Sequence, residues 1–124
     1  MKIFLDSYAI LELLVGSAKG GEVRRLITES TAACTSALNI YEVRYRLLSK
    51  VSQQKAEQTI RQILADTKIL PLTVETALAA AEIKMKRPAL GAVDCNCYAI
   101  AVQDGLVFVT GDRDFIGLQN VKML

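Results

Sequence analysis

Two stretches near opposite ends of the chain have the same form. Ile3-Phe4-Leu5 runs directly into Asp6-Ser7, and Leu106-Val107-Phe108-Val109-Thr110 runs into Gly111-Asp112. Both apolar runs are too short for a helix and rich in strand-forming residues. That suits strands covered on both faces, as in a parallel sheet. Each run ends in an acid, at the strand edge where open α/β sheets keep their ligand crevice. The competing account of Asp6 is a plain helix N-cap, a position that Asp favours.

Helices and strands alternate between these two runs. Ser7–Val15 reads as a first helix, with Tyr8, Leu11 and Val15 on one face and Ile10 and Leu14 close by. Gly16-Ser17-Ala18-Lys19-Gly20-Gly21 reads as a glycine-rich loop, since it matches neither of the phosphate-cradling patterns GxxxxGK[ST] and GxGxxG. A short helix over Glu22–Glu29 and a strand over Ala32–Thr35 follow. Ser36 caps a helix whose apolar stripe is Leu38, Tyr41, Tyr45 and Leu48. Ser52–Asp66 is an amphipathic helix burying Ala56, Ile60, Ile63 and Leu64. Lys68–Leu72 is a third strand ending around Pro71, and Thr73 caps a helix that packs through Thr76, Ala79, Ala80, Ile83 and Lys84, with Leu78, Ala81 and Met85 beside them. A loop over Arg87–Gly91 leads to a helix over Ala92–Asp104 that turns Val93, Cys97, Ile100 and Ala101 inward and is closed by Gly105. Val121–Leu124 reads as a short edge strand. The pattern predicts one domain over residues 1–124, a three-layer α/β/α fold around a central parallel sheet of four to five strands.

The chain has no histidine among its 124 residues. That removes Ser-His-Asp and Cys-His catalysis, imidazole acid–base chemistry and His-containing zinc sites. The three cysteines, Cys34, Cys95 and Cys97, lack zinc spacing and read as small buried hydrophobes. Chemistry therefore falls to the carboxylates. Asp6 and Asp112 follow strands, and Asp94 stands in the first turn of a helix, where the helix dipole alone would also favour it. Glu42 lies a little over one turn into a helix that starts at the same sheet edge, with a surface pair to Arg46 as its competing role. Four carboxylates in one crevice repel one another, and a divalent cation with an all-oxygen shell resolves that conflict. Bound there, Mg²⁺ or Mn²⁺ would suit phosphodiester hydrolysis.

The residues also resemble a known family. Ile3-Phe4-Leu5-Asp6-Ser7, Ile40-Tyr41-Glu42, Val93-Asp94 with Tyr98-Ala99-Ile100-Ala101, and Val109-Thr110-Gly111-Asp112-Arg113-Asp114-Phe115 fall in the order and spacing of PIN-domain ribonucleases. More narrowly, the chain is similar to the VapC-type toxins of toxin–antitoxin pairs. The resemblance implies Asp6, Glu42, Asp94 and Asp112 as catalytic and metal-binding acids, with Ser7, Thr110 and Asp114 in support. It implies an RNA substrate and a small antitoxin partner. Two departures are Cys95-Asn96-Cys97, where aliphatic residues are usual, and a short connection between the first two helices.

The hydrophobic share of 52% and mean hydropathy of +0.28 exceed what so short a core needs, which together with the resemblance points to a homodimer. No apolar segment approaches the length of a membrane span, and the expected location is cytoplasmic. Three other functions compete. Receiver domains want an acidic pair before the aspartate of strand one, and only four residues separate Met1 from Asp6. Haloacid-dehalogenase-like phosphatases want a second Asp two residues later, where Tyr8 stands. A catalytically inactive PIN-like binding module would be marked by loss of an acid, and all four are present.

Overall fold

The computed structural model describes residues 1–124. Its central strand is β1 (Lys2–Leu5), whose Ile3, Phe4 and Leu5 are all buried. On one side β1 pairs with β2 (Ala32–Ser36), which pairs with β3 (Lys68–Leu70). On the other it pairs with β4 (Val107–Thr110), which pairs with β5 (Val121–Met123). Every pairing is parallel and the order is β3-β2-β1-β4-β5. The two strands that end in acids are therefore neighbours, with Leu5 opposite Val109 in register.

Strand alternation divides the core in two. Ile3, Leu5 and Val109 face α1 (Ser7–Val15), α2 (Ala18–Glu29), α3 (Ala37–Leu48) and α4 (Gln53–Asp66), meeting Ile10, Val23, Val43 and Ile60. Phe4 and Phe108 face the opposite way, onto α5 (Val74–Lys86) and α6 (Ala92–Gln103). There Phe4 stacks on Phe108 at 5.5 Å, and Phe108 meets Phe115 at 4.7 Å. Tyr98 joins this cluster edge-on and donates its hydroxyl to the Gln119 carbonyl at 2.6 Å, so the buried phenol keeps a partner. Helix α6 buries Cys95, Cys97, Tyr98, Ala99, Ile100 and Ala101 and leaves little polar face. All three cysteines are free and buried.

Side-chain caps set most helix starts: Asp6, Ser17, Ser36, Ser52 and Thr73 each accept a backbone N–H from the first turn. Ser17 is where the sequence expectation fails. The expected glycine-rich loop over residues 16–21 is instead a turn at Gly16, with φ of 75°, followed by the start of α2. Gly20 lies inside that helix because α1 passes so close that a Cβ there would sit 2.2 Å from the Glu12 carbonyl oxygen.

Several apolar stripes are also rotated from their expected faces. On α3 the buried residues are Asn39 and Val43, while Tyr41, Tyr45 and Leu48 are exposed. On α1, Ala9 and Ile10 are buried and Leu14 and Val15 exposed; Leu64, Leu78 and Met85 likewise face outward. Apolar residues at helical spacing formed more than one possible stripe, and packing against the sheet selected among them. Strand β3 stops at Leu70, before Pro71, which has no N–H to give a ladder.

Candidate active site

The carboxyl ends of β1 and β4, the first two turns of α1, the middle of α3 and the first turn of α6 surround one open cleft of about 570 Å³. Asp6, Ser7, Glu42, Asp94 and Asp112 all line it. Thr110 is fully buried beneath, and Asp114 is an exposed residue outside the lining.

Asp6 is both the cap of α1 and a residue of the cleft lining. One carboxylate oxygen accepts the Ala9 N–H at 2.8 Å, and the other accepts the hydroxyl of Thr110. Only 4% of the residue is exposed. Burial pushes its carboxyl up to about 7, against the pull of the Thr110 and Ala9 hydrogen bonds, with the charges of Asp94 and Asp112 adding to the rise. The Thr110 hydroxyl oxygen also accepts the Asp112 N–H at 3.0 Å, which fixes the chain as it leaves β4. Asp112 in turn caps a 3₁₀ turn over Arg113–Phe115 by accepting the Asp114 N–H at 2.9 Å. Asp114 thus supports Asp112 through its backbone.

Glu42 makes no ion pair with Arg46; the ion pairs in the structure are Arg25–Glu29 and Lys122–Glu22. Its Oε1 accepts the Ser7 hydroxyl at 2.6 Å. Ser7 Oγ accepts from Asn39 Nδ2 at 3.0 Å, and Asn39 Oδ1 accepts from Ser36 Oγ at 2.6 Å and from the Cys97 thiol at 3.3 Å. Asn39 is buried and joins α1, α3 and α6 under the cleft. Sequence reasoning missed it; its one local signal is the Ser36-x-x-Asn39 spacing, a capping box with Asn in place of Glu or Gln.

Asp94 stands in the first turn of α6, at the mouth of the cleft. Burial raises its carboxyl to about 6, helped by the charges of Asp112, Glu42 and, less, Asp114. These shifts record the four acids in one another's fields. Tyr8, Glu12, Arg46 and Arg113 also border the cleft, none of them anticipated as site residues. Tyr8 lies so close to the end of β4 that a Cβ on Gly111 would stand 2.1 Å from its ring, and its hydroxyl accepts from Lys19 Nζ at 3.0 Å.

The donor set is all oxygen and acidic, which fits a hard divalent cation and no soft metal. As placed, no three of these carboxylates stand close enough to share one ion. Side chains that repel across a hydrated cleft keep such spacing, and a cation would reverse the sign of their interaction.

Solved structures with this fold are numerous. A toxin–antitoxin complex from Klebsiella pneumoniae contains a chain that superposes with a TM-score of 0.81 at 19% identity, over 98% of this chain and 96% of that one. VapBC-1 from nontypeable Haemophilus influenzae gives 0.81 at 12% identity, over 100% and 97%. Mycobacterium tuberculosis VapC20, a sarcin-ricin loop cleaving toxin, gives 0.73 at 20% identity, over 91% and 92%. No curated protein matches the chain by sequence. Residues 3–120 match the family model described as the PIN domain, a span that takes in both strand-end acids and the two helix-borne acids between them; the chain belongs to the PIN domain family.

Proposed function

We propose that this chain is a ribonuclease that hydrolyses RNA phosphodiesters with the aid of Mg²⁺ or Mn²⁺, and that it is the toxin of a toxin–antitoxin pair. The observation that carries this is the gathering of Asp6, Glu42, Asp94 and Asp112 on one cleft, with the Asp6 and Asp94 carboxyls raised by burial and mutual repulsion, in a chain without histidine. PIN family membership and the VapBC and VapC20 neighbours support the same reading.

Bound in the cleft, the cation would supply charge neutralisation at the phosphate and lower the pKa of a water. Asp6, Asp94, Asp112 and Glu42 would hold it. Asp6 meets it with its rotamer already fixed by Thr110 and Ala9. Ser7 engages only Oε1 of Glu42, which leaves Oε2 to accept a proton or reach the ion. Arg46 and Arg113 at the rim offer positive charge to the flanking phosphates.

The chain would work as one folding unit over residues 1–124, in the cytoplasm, as a homodimer bound by an antitoxin. An apolar groove of about 620 Å³ between α1, α2 and α4, lined by Ile10, Leu13, Leu14, Ile27 and Ile63, suits an amphipathic helix of that partner. Its walls include α2 and the amphipathic α4, the two helices we take as candidate contact surfaces. No helix is long and apolar enough to cross a membrane.

The inactive binding module stays the second reading, and retention of all four acids on the cleft weighs against it. The sheet order β3-β2-β1-β4-β5 departs from the 2-1-3-4-5 order of receiver domains. The test is purified protein with total RNA in Mn²⁺ and in EDTA. Cleavage confined to the Mn²⁺ arm is expected; cleavage that survives chelation overturns the metal mechanism, and no cleavage in either arm favours the binding module.

A further inference from the structure

Glu42 ends a chain of hydrogen bonds that starts in the core, and the direction of each bond in it is fixed. Asn39, buried on the inner side of α3, stands in the middle of the chain. Its Oδ1 accepts from the Ser36 N–H at 3.3 Å, the Ser36 hydroxyl at 2.6 Å and the Cys97 thiol at 3.3 Å. A backbone N–H can only donate, so the amide cannot turn its NH₂ towards Ser36. Burial, with the charges of Glu42 and Asp94 adding to it, pushes the Cys97 thiol up to about 12, so the thiol also stays a donor. Asn39 Nδ2 therefore faces the other way and donates to Ser7 Oγ at 3.0 Å. An amide NH₂ accepts nothing, so the single hydroxyl proton of Ser7 goes to Glu42 Oε1, at 2.6 Å.

We propose that Asn39 is a positioning residue of the acid cleft: by offering Ser7 a donor and no acceptor, it turns the Ser7 hydroxyl onto Glu42 and holds that carboxylate in place. This rests on the ribonuclease reading above and adds a residue that touches neither substrate nor ion. Asn39 also closes the capping box of α3, a local task that uses only its side-chain oxygen and its own N–H. A carboxylate of the same shape would serve the cap equally well. The Nδ2 donor is surplus to the cap, and its partner is Ser7 on another helix, 32 residues away. A group that acts on a ligand through a second residue shapes both ion affinity and rate without contacting either, and its loss costs about 10–100-fold in metal sites generally.

The test is a double-mutant cycle between Asn39→Asp and Ser7→Ala. It is read by the initial rate of total-RNA cleavage against RNA concentration in Mn²⁺, and by calorimetric titration with Mn²⁺ alone. Asn39→Asp keeps the shape and the cap but sets a second acceptor against Ser7, whose proton is then shared between two carboxylates. The added charge is common to both backgrounds, so the difference between them reports the route through Ser7. Asn39→Asp should cost at least about tenfold more in kcat, and in Mn²⁺ affinity, with Ser7 present than in the Ser7→Ala background. Asn39→Ala removes the donor without supplying an acceptor and should lower kcat less than Asn39→Asp does. The same factor in both backgrounds overturns the proposal, because a cap or packing role does not depend on Ser7. So does an Asn39→Ala loss larger than that of the isosteric variant. Should Asn39→Asp give no cooperative melt, Asn39→Ala takes its place in the cycle, with the same sign expected. Wild type that binds Mn²⁺ and leaves RNA intact fails the ribonuclease reading, and the Mn²⁺ titrations then decide the role of Asn39 alone; wild type that does neither overturns both.

Discussion

Ser7 donates a 2.6 Å hydrogen bond to Glu42 across 35 residues of sequence, tying the first turn of α1 to the second turn of α3. A carboxylate held by a neutral hydroxyl keeps its full charge, whereas one paired with Arg46 would be neutralised on the surface. Glu42→Gln should therefore bring RNA cleavage to background with an unchanged melting temperature. Ser7→Ala leaves the charge and removes the tether, and should lower kcat by about 10–100-fold. Steady-state cleavage and thermal melting of both variants check this; near-normal activity in Glu42→Gln would remove Glu42 from the site.

The Asp6 carboxyl titrates near 7 in the fold against 3.8 unfolded. Between those values the folded state holds a proton that the unfolded chain has released, so the contribution of Asp6 to stability is fully present below about pH 4 and is lost as pH rises through 7. Asp94, raised to about 6, acts in the same direction over a narrower window. In EDTA, Asp6→Asn should flatten this fall and stabilise the protein at pH 8 by on the order of 2 kcal/mol. Asn still caps a helix, and the Thr110 hydroxyl can turn to suit the amide. Urea unfolding of both proteins from pH 4 to 8 reads the difference in slope; a variant whose advantage over wild type does not grow with pH would refute the assignment.

Asp94→Asn should raise the apo melting temperature by relieving repulsion from Asp112 and Glu42, by about 1 kcal/mol once its partial exposure is allowed for. In Mn²⁺ at a hundredfold excess over Kd the wild type should gain roughly 2.7 kcal/mol, and the variant far less. A purely helix-dipole role gives the opposite apo sign, a loss of about 0.3–1 kcal/mol, with an unchanged response to Mn²⁺. Melting in EDTA and in Mn²⁺ separates the two.

Two adjacent glycines of α2 should respond oppositely to alanine. At Gly20 a Cβ meets the backbone of Glu12 at 2.2 Å, so Gly20→Ala must push α1 from α2 and should cost about 1–3 kcal/mol. At Gly21 nothing lies within 4 Å, so Gly21→Ala should stabilise the helix by about 0.5–1 kcal/mol. Paired melts of the two variants check the sign; equal effects would mean that α1 and α2 do not approach as described.

These glycines also mark where sequence reasoning stopped. Read locally, Gly16 to Gly21 is a break, and only the passage of α1 over Gly20 makes helix there sensible. The strand-end acids were legible because apolar runs of that length have few folds open to them, and each acid is fixed by the strand before it. Glu42 and Asp94 were legible as acids on helices that begin at that edge. Asn39 was not, since its partners Ser7 and Cys97 are 32 and 58 residues away and nothing nearby announces them. Tyr41 and Tyr45 were placed in the core by spacing alone, which counts an aromatic ring as apolar whichever way it faces.

The tie between Thr110 and Asp6 joins residues 104 apart, and the strand carrying Thr110 is the one that completes the pocket around β1. During synthesis the ribosome delivers Asp6 early and leaves it without its partner until β4 has emerged. Asp112 arrives two residues after Thr110, on the same late segment. An unfinished or truncated chain thus carries the opening half of the site and none of its closure. No segment that lacks β4 can bring Asp6, Thr110 and Asp112 together, so this part of the cleft forms only when that strand docks on β1.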